Sequence, residues 1–168
     1  MYYLTTYQSP VGLLTLASNG EELIGLEFEE QRYPGPFHAE EAVLKDNLPI
    51  FDKTKAWLDR YFEGQEVSYS ELPLAPAGSE FRQAVWRLLC EIPYGQVTTY
   101  GEIAKKLAAI KGIPRMASQA VGGAVGHNPI SIIIPCHRVV GSDGSLTGFG
   151  GGLPVKAKLL ELERFKQP

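Results

Sequence analysis

A proline-rich segment near the middle, Leu72-Pro73-Leu74-Ala75-Pro76-Ala77-Gly78, divides this chain into two halves of different pattern. Pro73 and Pro76 each remove a backbone donor and fix φ, so neither a helix interior nor a central strand can run through them. The segment reads as a linker, with one domain over residues 1–76 and another over residues 77–168. The chain has 168 residues, 44% of them hydrophobic, enough to build a core in one compact unit or two small domains.

Before the linker the pattern is that of strands. Tyr3-Leu4-Thr5-Thr6-Tyr7, Leu13-Leu14-Thr15-Leu16-Ala17 and Leu23-Ile24-Gly25-Leu26-Glu27-Phe28 are separated by the turns Ser9-Pro10-Val11-Gly12 and Ser18-Asn19-Gly20. They predict an antiparallel meander. An amphipathic helix follows from Leu48 through Phe62, with Ile50, Phe51, Leu58, Tyr61 and Phe62 apolar and Gly64 placed to stop it.

After the linker the pattern turns helical. Phe81, Val85, Trp86, Leu88, Leu89 and Ile92 mark the apolar face of a helix over residues 80–92. Thr99-Tyr100-Gly101-Glu102 has the capping-box spacing that opens a second helix through about Ala109. Lys111-Gly112-Ile113-Pro114 is a turn, and Arg115 to Val125 is a third helix. Helix, tight turn and helix make the outline of a helix-turn-helix. A last helix runs from Val155 to Phe165. The fold class is α+β: an N-terminal antiparallel sheet with a helix, then a helical C-terminal domain.

Charge separates the halves as well. Residues 1–80 hold 5 Lys and Arg against 14 Asp and Glu, a net −9; residues 81–168 hold 11 against 5, a net +6. Such asymmetry points the C-terminal half at a polyanion. The third helix is short of bulk: Ala117, Ser118, Ala120, Gly122, Gly123 and Ala124 lie within it. Two glycines in a helix cost about 1 kcal/mol each against alanine. Close packing on a neighbouring helix offsets that cost, or else insertion into a narrow groove of DNA, which long side chains would obstruct.

Met1-Tyr2-Tyr3-Leu4-Thr5-Thr6 lacks the basic start and long apolar stretch of a secretory signal, and no apolar run is long enough to span a bilayer, so a soluble cytoplasmic protein is expected. Cys90 and Cys136 are too few for a disulfide framework, and with the three histidines they match no metal spacing.

Chemistry concentrates in Pro135-Cys136-His137-Arg138-Val139, entered from the strand-like run Ile130-Ser131-Ile132-Ile133-Ile134. A free cysteine titrates at about 8.5, so its thiol needs a base to act near neutrality. His137 is adjacent, Glu161 or Glu163 could orient it, and Arg138 adds positive charge. From the dipeptide alone, Cys136 is either that nucleophile or a buried structural thiol. Cys90 sits among core residues of a helix and reads as inert. The segment Gly141-Ser142-Asp143-Gly144-Ser145-Leu146-Thr147-Gly148-Phe149-Gly150-Gly151-Gly152-Leu153 is glycine-dense, which lets backbone amides approach a ligand, but it has no Walker or dinucleotide spacing.

Asn128-Pro129, Pro135-Cys136-His137-Arg138-Val139, Gly148-Phe149 and Gly151-Gly152-Leu153 together closely resemble the O6-alkylguanine-DNA alkyltransferases, the methylated-DNA–protein-cysteine methyltransferases. Phe81-Arg82, Val85-Trp86, Pro93-Tyr94-Gly95, Thr99-Tyr100-Gly101 and Ala120-Val121-Gly122 fit as well, so the match spans residues 79–165. The resemblance implies a ribonuclease-H-like N-terminal domain and a winged-helix-like C-terminal one. It implies repair of double-stranded DNA containing O6-alkylguanine, bound from the minor groove with the damaged base flipped out. Cys136 would keep the alkyl group, His137 would act as base through a water, Glu163 would orient His137, and Tyr100 would donate to guanine N3. Backbone carbonyls of Cys136 and Val139 would read the exocyclic amine and the Gly150 amide would contact O6. Phe149 would wall the pocket and Asn128 would brace the turn before the active-site strand. Arg115, Ala117, Ser118 and Gln119 would meet DNA. The implied protein is a monomer that needs no cofactor and no metal.

Three departures stand out. Gln119 occupies the place of an arginine that fills the gap left by the flipped base, which predicts weaker DNA binding. Phe149 stands where some members have tyrosine. The N-terminal half lacks the cysteine pair that binds zinc in some members. Rival readings are a non-catalytic lesion binder, a Cys-His-Glu hydrolase and a DNA-binding regulator without chemistry.

Overall fold

Tyr2–Ser9 (β1), Gly12–Ser18 (β2) and Leu23–Phe28 (β3) form the N-terminal sheet, with Leu4, Leu14, Leu16, Leu23, Leu26 and Phe28 buried. The computed structural model describes residues 2–29, 42–146, 149 and 151–166, the last two of these without their side chains. β1 and β2 form a hairpin closed at Ser9 and Gly12, and β2 pairs antiparallel with β3. The turn between β2 and β3 is held by Asn19, whose Oδ1 accepts from the amides of Glu21 and Glu22 at 3.0 and 2.8 Å. The sheet departs from the expected meander at one edge. Ala42–Leu44 (β4) pairs parallel with β1, giving the order β3-β2-β1-β4. Three residues carry too little pattern to announce a strand.

Helix α1, Pro49–Phe62, covers one face of the sheet with Ile50, Phe51, Thr54, Trp57, Leu58 and Tyr61. Pro49 stands in its first turn, where no backbone donor is needed. Beyond the linker, α2 (Glu80–Cys90) starts at Ser79, whose hydroxyl accepts from Arg82 N at 3.2 Å. Thr99 caps α3 (Tyr100–Lys111) in the same way through Glu102 N, while the Glu102 side chain turns to Lys105. Gly112 ends α3 at φ +69, a conformation that glycine adopts without strain. Helix α4 covers Ser118–Gly126, three residues shorter at its start than expected. Arg115 and Met116 stay in the turn and Ala117 is the N-cap, in extended conformation at φ −72 and ψ 129. Helix α5 is Leu153–Lys166. Val139–Val140 (β6) pairs parallel with Thr98–Thr99 (β5).

The run Ile130–Ile134 is not a strand. It folds back on itself: Ile134 N donates to Ile130 O at 3.1 Å and Ile133 N to Ser131 O at 2.8 Å. The second bond closes a three-residue γ-turn around Ile132, whose φ of +70 is the one positive value at a non-glycine among the described residues. A further γ-turn of the common kind follows at Pro135 (φ −82, ψ 66), with Cys136 N donating to Ile134 O at 2.8 Å. All five residues of the run are buried, so apolar composition reported burial and not extension.

β3 joins the halves. Its outer edge pairs with the linker through Leu23 N to Pro73 O and Ala75 N to Leu23 O, at 2.9 and 2.8 Å. Farther along, Leu26 N donates to Pro129 O at 2.9 Å and Ser131 N to Leu26 O at 3.2 Å. An edge that would otherwise stand unpaired thus holds the turn that leads to Cys136. One apolar cluster runs through both halves, from Leu14 and Phe51 to Val121 and Leu159.

Candidate active site

Asn128, directly after α4, sets the turn. Its Oδ1 accepts from Ile130 N at 3.0 Å and its Nδ2 donates to Ile134 O at 2.8 Å, so one buried amide clamps both ends of the folded run. Cys136 then begins a single 3₁₀ turn, Cys136–Arg138.

Cys136 is buried, with 5% of the residue's surface exposed. Burial pushes the thiol above its ordinary value, opposed by Asn128, the Lys156 ammonium and Ser131. The resting sulfur is therefore a protonated thiol. Lys156 is itself wholly buried, its Nζ donating to Val139 O at 2.6 Å, and burial lowers it to about 8. The cation acting on the sulfur is thus Lys156 and not Arg138.

His137 and Glu163 have no solvent exposure. His137 Nε2 lies 2.5 Å from Glu163 Oε2. Burial holds the imidazole below its ordinary value against the pull of Glu163, so it is neutral and its Nε2–H donates. Nδ1 has no protein partner among the described residues. Burial alone would raise the Glu163 carboxyl, but His137 and Arg138 outweigh it and hold it at about 2. Arg138 Nε donates to Oε1 at 2.7 Å and its Nη1 to Ile92 O at 2.8 Å. Tyr61 Oη donates to Oε2 at 2.7 Å. Of the two acids on α5, Glu161 faces outward and Glu163 inward.

The β5–β6 pairing sets Tyr100, the first residue of α3, beside Val139 and Val140. The Tyr100 ring lies against Gly122 of α4, where a Cβ would stand 3.9 Å from it. Val139 is buried, and its carbonyl already accepts from Lys156. Phe149 is buried edge-on to Phe28 of β3, with ring centroids 5.5 Å apart. A Cβ on Gly151 would meet the Phe28 ring at 2.7 Å, so this approach admits only glycine. Gly148 and Gly150 lie outside the described residues.

On α4, Val121, Ala124 and Val125 are buried, and Ala124 O accepts from Trp86 Nε1 at 2.8 Å. Arg115, Ala117, Ser118, Gln119, Ala120 and Gly123 are exposed, and nothing lies within 4 Å of a Cβ at Gly123. The small residues thus fall on two sides of one helix: Gly122 packs against Tyr100, and Gly123 belongs to an open, low face. Among the described residues no group of three or more His, Cys, Asp and Glu could hold a metal ion, and no helix is long and apolar enough to cross a membrane.

Two family models cover nearly the whole chain. The 6-O-methylguanine DNA methyltransferase ribonuclease-like domain matches residues 1–76, and the DNA binding domain of the same family matches residues 80–165. The chain belongs to the 6-O-methylguanine DNA methyltransferase family. Within it, the chain is 48% identical to the methylated-DNA–protein-cysteine methyltransferase of Haemophilus influenzae over 96% of its own length and 86% of the relative's. The methyltransferase of Methanosarcina barkeri is 46% identical, with 97% of each chain covered. The Mycobacterium tuberculosis OGT crystallised in complex with DNA superposes with a TM-score of 0.85 at 41% identity, over 99% of this chain and 94% of that one.

Around the cysteine of this methyltransferase-family chain stand side chains that sequence reasoning passed over. Tyr61 read as one more apolar residue of α1. Lys156 had one signal, its place three residues before Leu159 on the buried side of the last helix. Ser131 had no signal beyond its position as the polar member of an isoleucine run.

Proposed function

We propose that this protein repairs double-stranded DNA by moving an alkyl group from O6 of guanine to its own Cys136, once per molecule and irreversibly. The observation that carries the reading is the free Cys136 thiol directly before a wholly buried imidazole–carboxylate pair, in a helix-turn-helix half. Residues 1–76 act as scaffold and residues 77–168 bind DNA and accept the alkyl group.

The sulfur of Cys136 attacks the alkyl carbon opposite its bond to O6. The S–C bond forms, the C–O6 bond breaks, and its electron pair stays on guanine. His137 Nδ1 takes the thiol proton through a water, with Glu163 stabilising the charge that develops on the ring. Tyr100 gives its phenolic proton to guanine N3, so neutral guanine leaves, and the proton on His137 returns to the tyrosinate through solvent. A neutral resting thiol and a neutral imidazole are the right starting pair for this order of events. The thioether product has no leaving path, which limits each molecule to one lesion.

A thiol this far under the surface can meet only a base swung out of the helix. The low face of α4 (Ala117, Ser118, Ala120 and Gly123, with Gln119 beside them) suits a narrow minor groove, where Gln119 would fill the space the base leaves. Asn128 links that helix to the sulfur. The carbonyls of Cys136 and Val139 receive the exocyclic amine, the second lone pair of Val139 remaining for it beside Lys156. Phe149 forms a wall. One copy carries every residue named, so the protein works as a monomer, and two free thiols suit the reducing cytoplasm. Intact mass after mixing with an O6-methylguanine duplex tests this. A gain of one methylene is expected for wild type and Cys90→Ala and none for Cys136→Ala; a wild type of unchanged mass overturns the reading.

A further inference from the structure

Among the described residues, the N-terminal half enters the reacting network at one hydroxyl, that of Tyr61. Tyr61 on α1 and Glu163 on α5 are 102 residues apart, yet Tyr61 Oη donates to Oε2, the oxygen that His137 Nε2 also holds. The other carboxylate oxygen, Oε1, is held by Arg138 Nε at 2.7 Å and more loosely by Gly95 N at 3.4 Å. Tyr61 is wholly buried. Its ring stacks on Trp57 with centroids 5.6 Å apart and meets Phe62 and Tyr94 edge-on at 5.1 and 6.3 Å. Packing on three rings fixes where the hydroxyl points. Burial, joined by Glu163, keeps the phenol protonated, so it is a permanent donor.

We propose that Tyr61 is a positioning residue for alkyl transfer, acting through Glu163 on the protonation state and tautomer of His137. Oε2 shared between two donors is less basic than Oε2 facing the imidazole alone. Relieved of the phenol, the carboxylate would favour His137 as an imidazolium, which cannot take a proton from Cys136. The oxygen that Tyr61 holds in place is also the one that accepts the Nε2–H and so leaves Nδ1 as the acceptor. The hydroxyl thus keeps the base neutral and facing the right way, and it makes the first domain a participant in the chemistry of the second. The inference rests on the alkyl-transfer reading above.

Tyr61→Phe removes the hydroxyl and retains the ring packing. Single-turnover transfer from an O6-methylguanine duplex is measured across pH for wild type and variant, with DNA affinity and urea stability measured separately. Transfer by the variant is expected to fall about tenfold on the acid side of the profile and by less at neutral pH, the scale of one lost hydrogen bond to a charged group. The acid limb of its pH–rate profile is expected to move up by about one pH unit, because a more basic His137 stays protonated to higher pH. Nitrogen-15 NMR of the His137 ring should show the same upward shift, with DNA affinity unchanged. An acid limb that stays in place overturns the proposal whatever the rate, because a contact that only docks the domains would lower stability without moving the titration. Normal methyl uptake by wild type with an unmoved limb in Tyr61→Phe sinks this role alone. Failure of wild type to take up methyl sinks it together with the alkyl-transfer reading.

Discussion

Ile132 carries the sharpest conflict between a residue and its backbone. A β-branched side chain at φ +70 sits in a region that costs about 1–2 kcal/mol for an L-residue. The surroundings over-determine it: Asn128 clamps both ends of the run, β3 holds Ser131, and the Ile132 side chain is buried. The strain lies four residues before the nucleophile, where it turns the chain so that Cys136 faces inward. Replacing Ile132 by glycine or alanine loses a similar buried side chain, about 2–5 kcal/mol. Glycine alone also relieves the backbone. Ile132→Gly should therefore be more stable than Ile132→Ala in urea unfolding, the reverse of the usual order. An alanine variant the more stable by the usual margin would show that the turn is not strained.

The thiols make a second prediction at this scale. Burial raises Cys136 and takes Cys90 to about 11. A raised thiol pKa means less thiolate at neutral pH, so iodoacetamide should label both cysteines of the free protein more slowly than those of the urea-unfolded chain. Labelling should climb with pH beyond the range where an ordinary cysteine has levelled off. For Cys90 the sign carries over to stability: burial of the neutral thiol contributes fully below about 9 and is lost as pH rises toward 11. Rapid labelling of Cys136 at neutral pH would contradict a protonated resting sulfur.

At the scale of elements, α4 is where sequence reasoning left two explanations, and the structure shows the first, close packing, at Gly122 while leaving Gly123 on an open face. Its inner side packs on α2 and α3, and its outer side has no long side chain from Ala117 through Gly123 except Gln119. The helix carries no charged residue from Ser118 through Gly126, so a charge added there would strengthen attraction to a polyanion. Gln119→Arg should then tighten binding to duplex DNA and steepen its salt dependence by about one counterion. Equal affinity at every salt concentration would remove Gln119 from the interface. The helices themselves were legible, because Ser79, Thr99 and Gly112 are local signals whose effect is spent within a turn. The Ile130–Ile134 run was not, since its bends depend on an amide at Asn128 and a strand edge one hundred residues earlier. β4 failed for a related reason: its three residues are a strand only because β1 lies beside them.

Across the whole molecule, the acidic and basic halves are not merely tethered. β3 lends its edge to the linker and to the turn before Cys136, Phe28 backs Phe149, and Tyr61 reaches Glu163. The family motif made Cys136, His137, Glu163 and Tyr100 visible as candidates, because motif residues announce themselves in order along the chain. Tyr61 and Lys156 stayed hidden, because what distinguishes them is a partner far away in sequence and a burial that local pattern does not encode. The charge reversal between the halves reads the same in sequence and in space, since most of it lies on exposed side chains.

The most direct measurement is peptide mapping after one turnover with a duplex holding a single isotopically labelled O6-methylguanine. One label per protein is expected, on the sulfur of Cys136, with unmodified guanine left in the DNA. Label on Cys90, label released to solvent, or a duplex that keeps its methyl group would contradict transfer to Cys136.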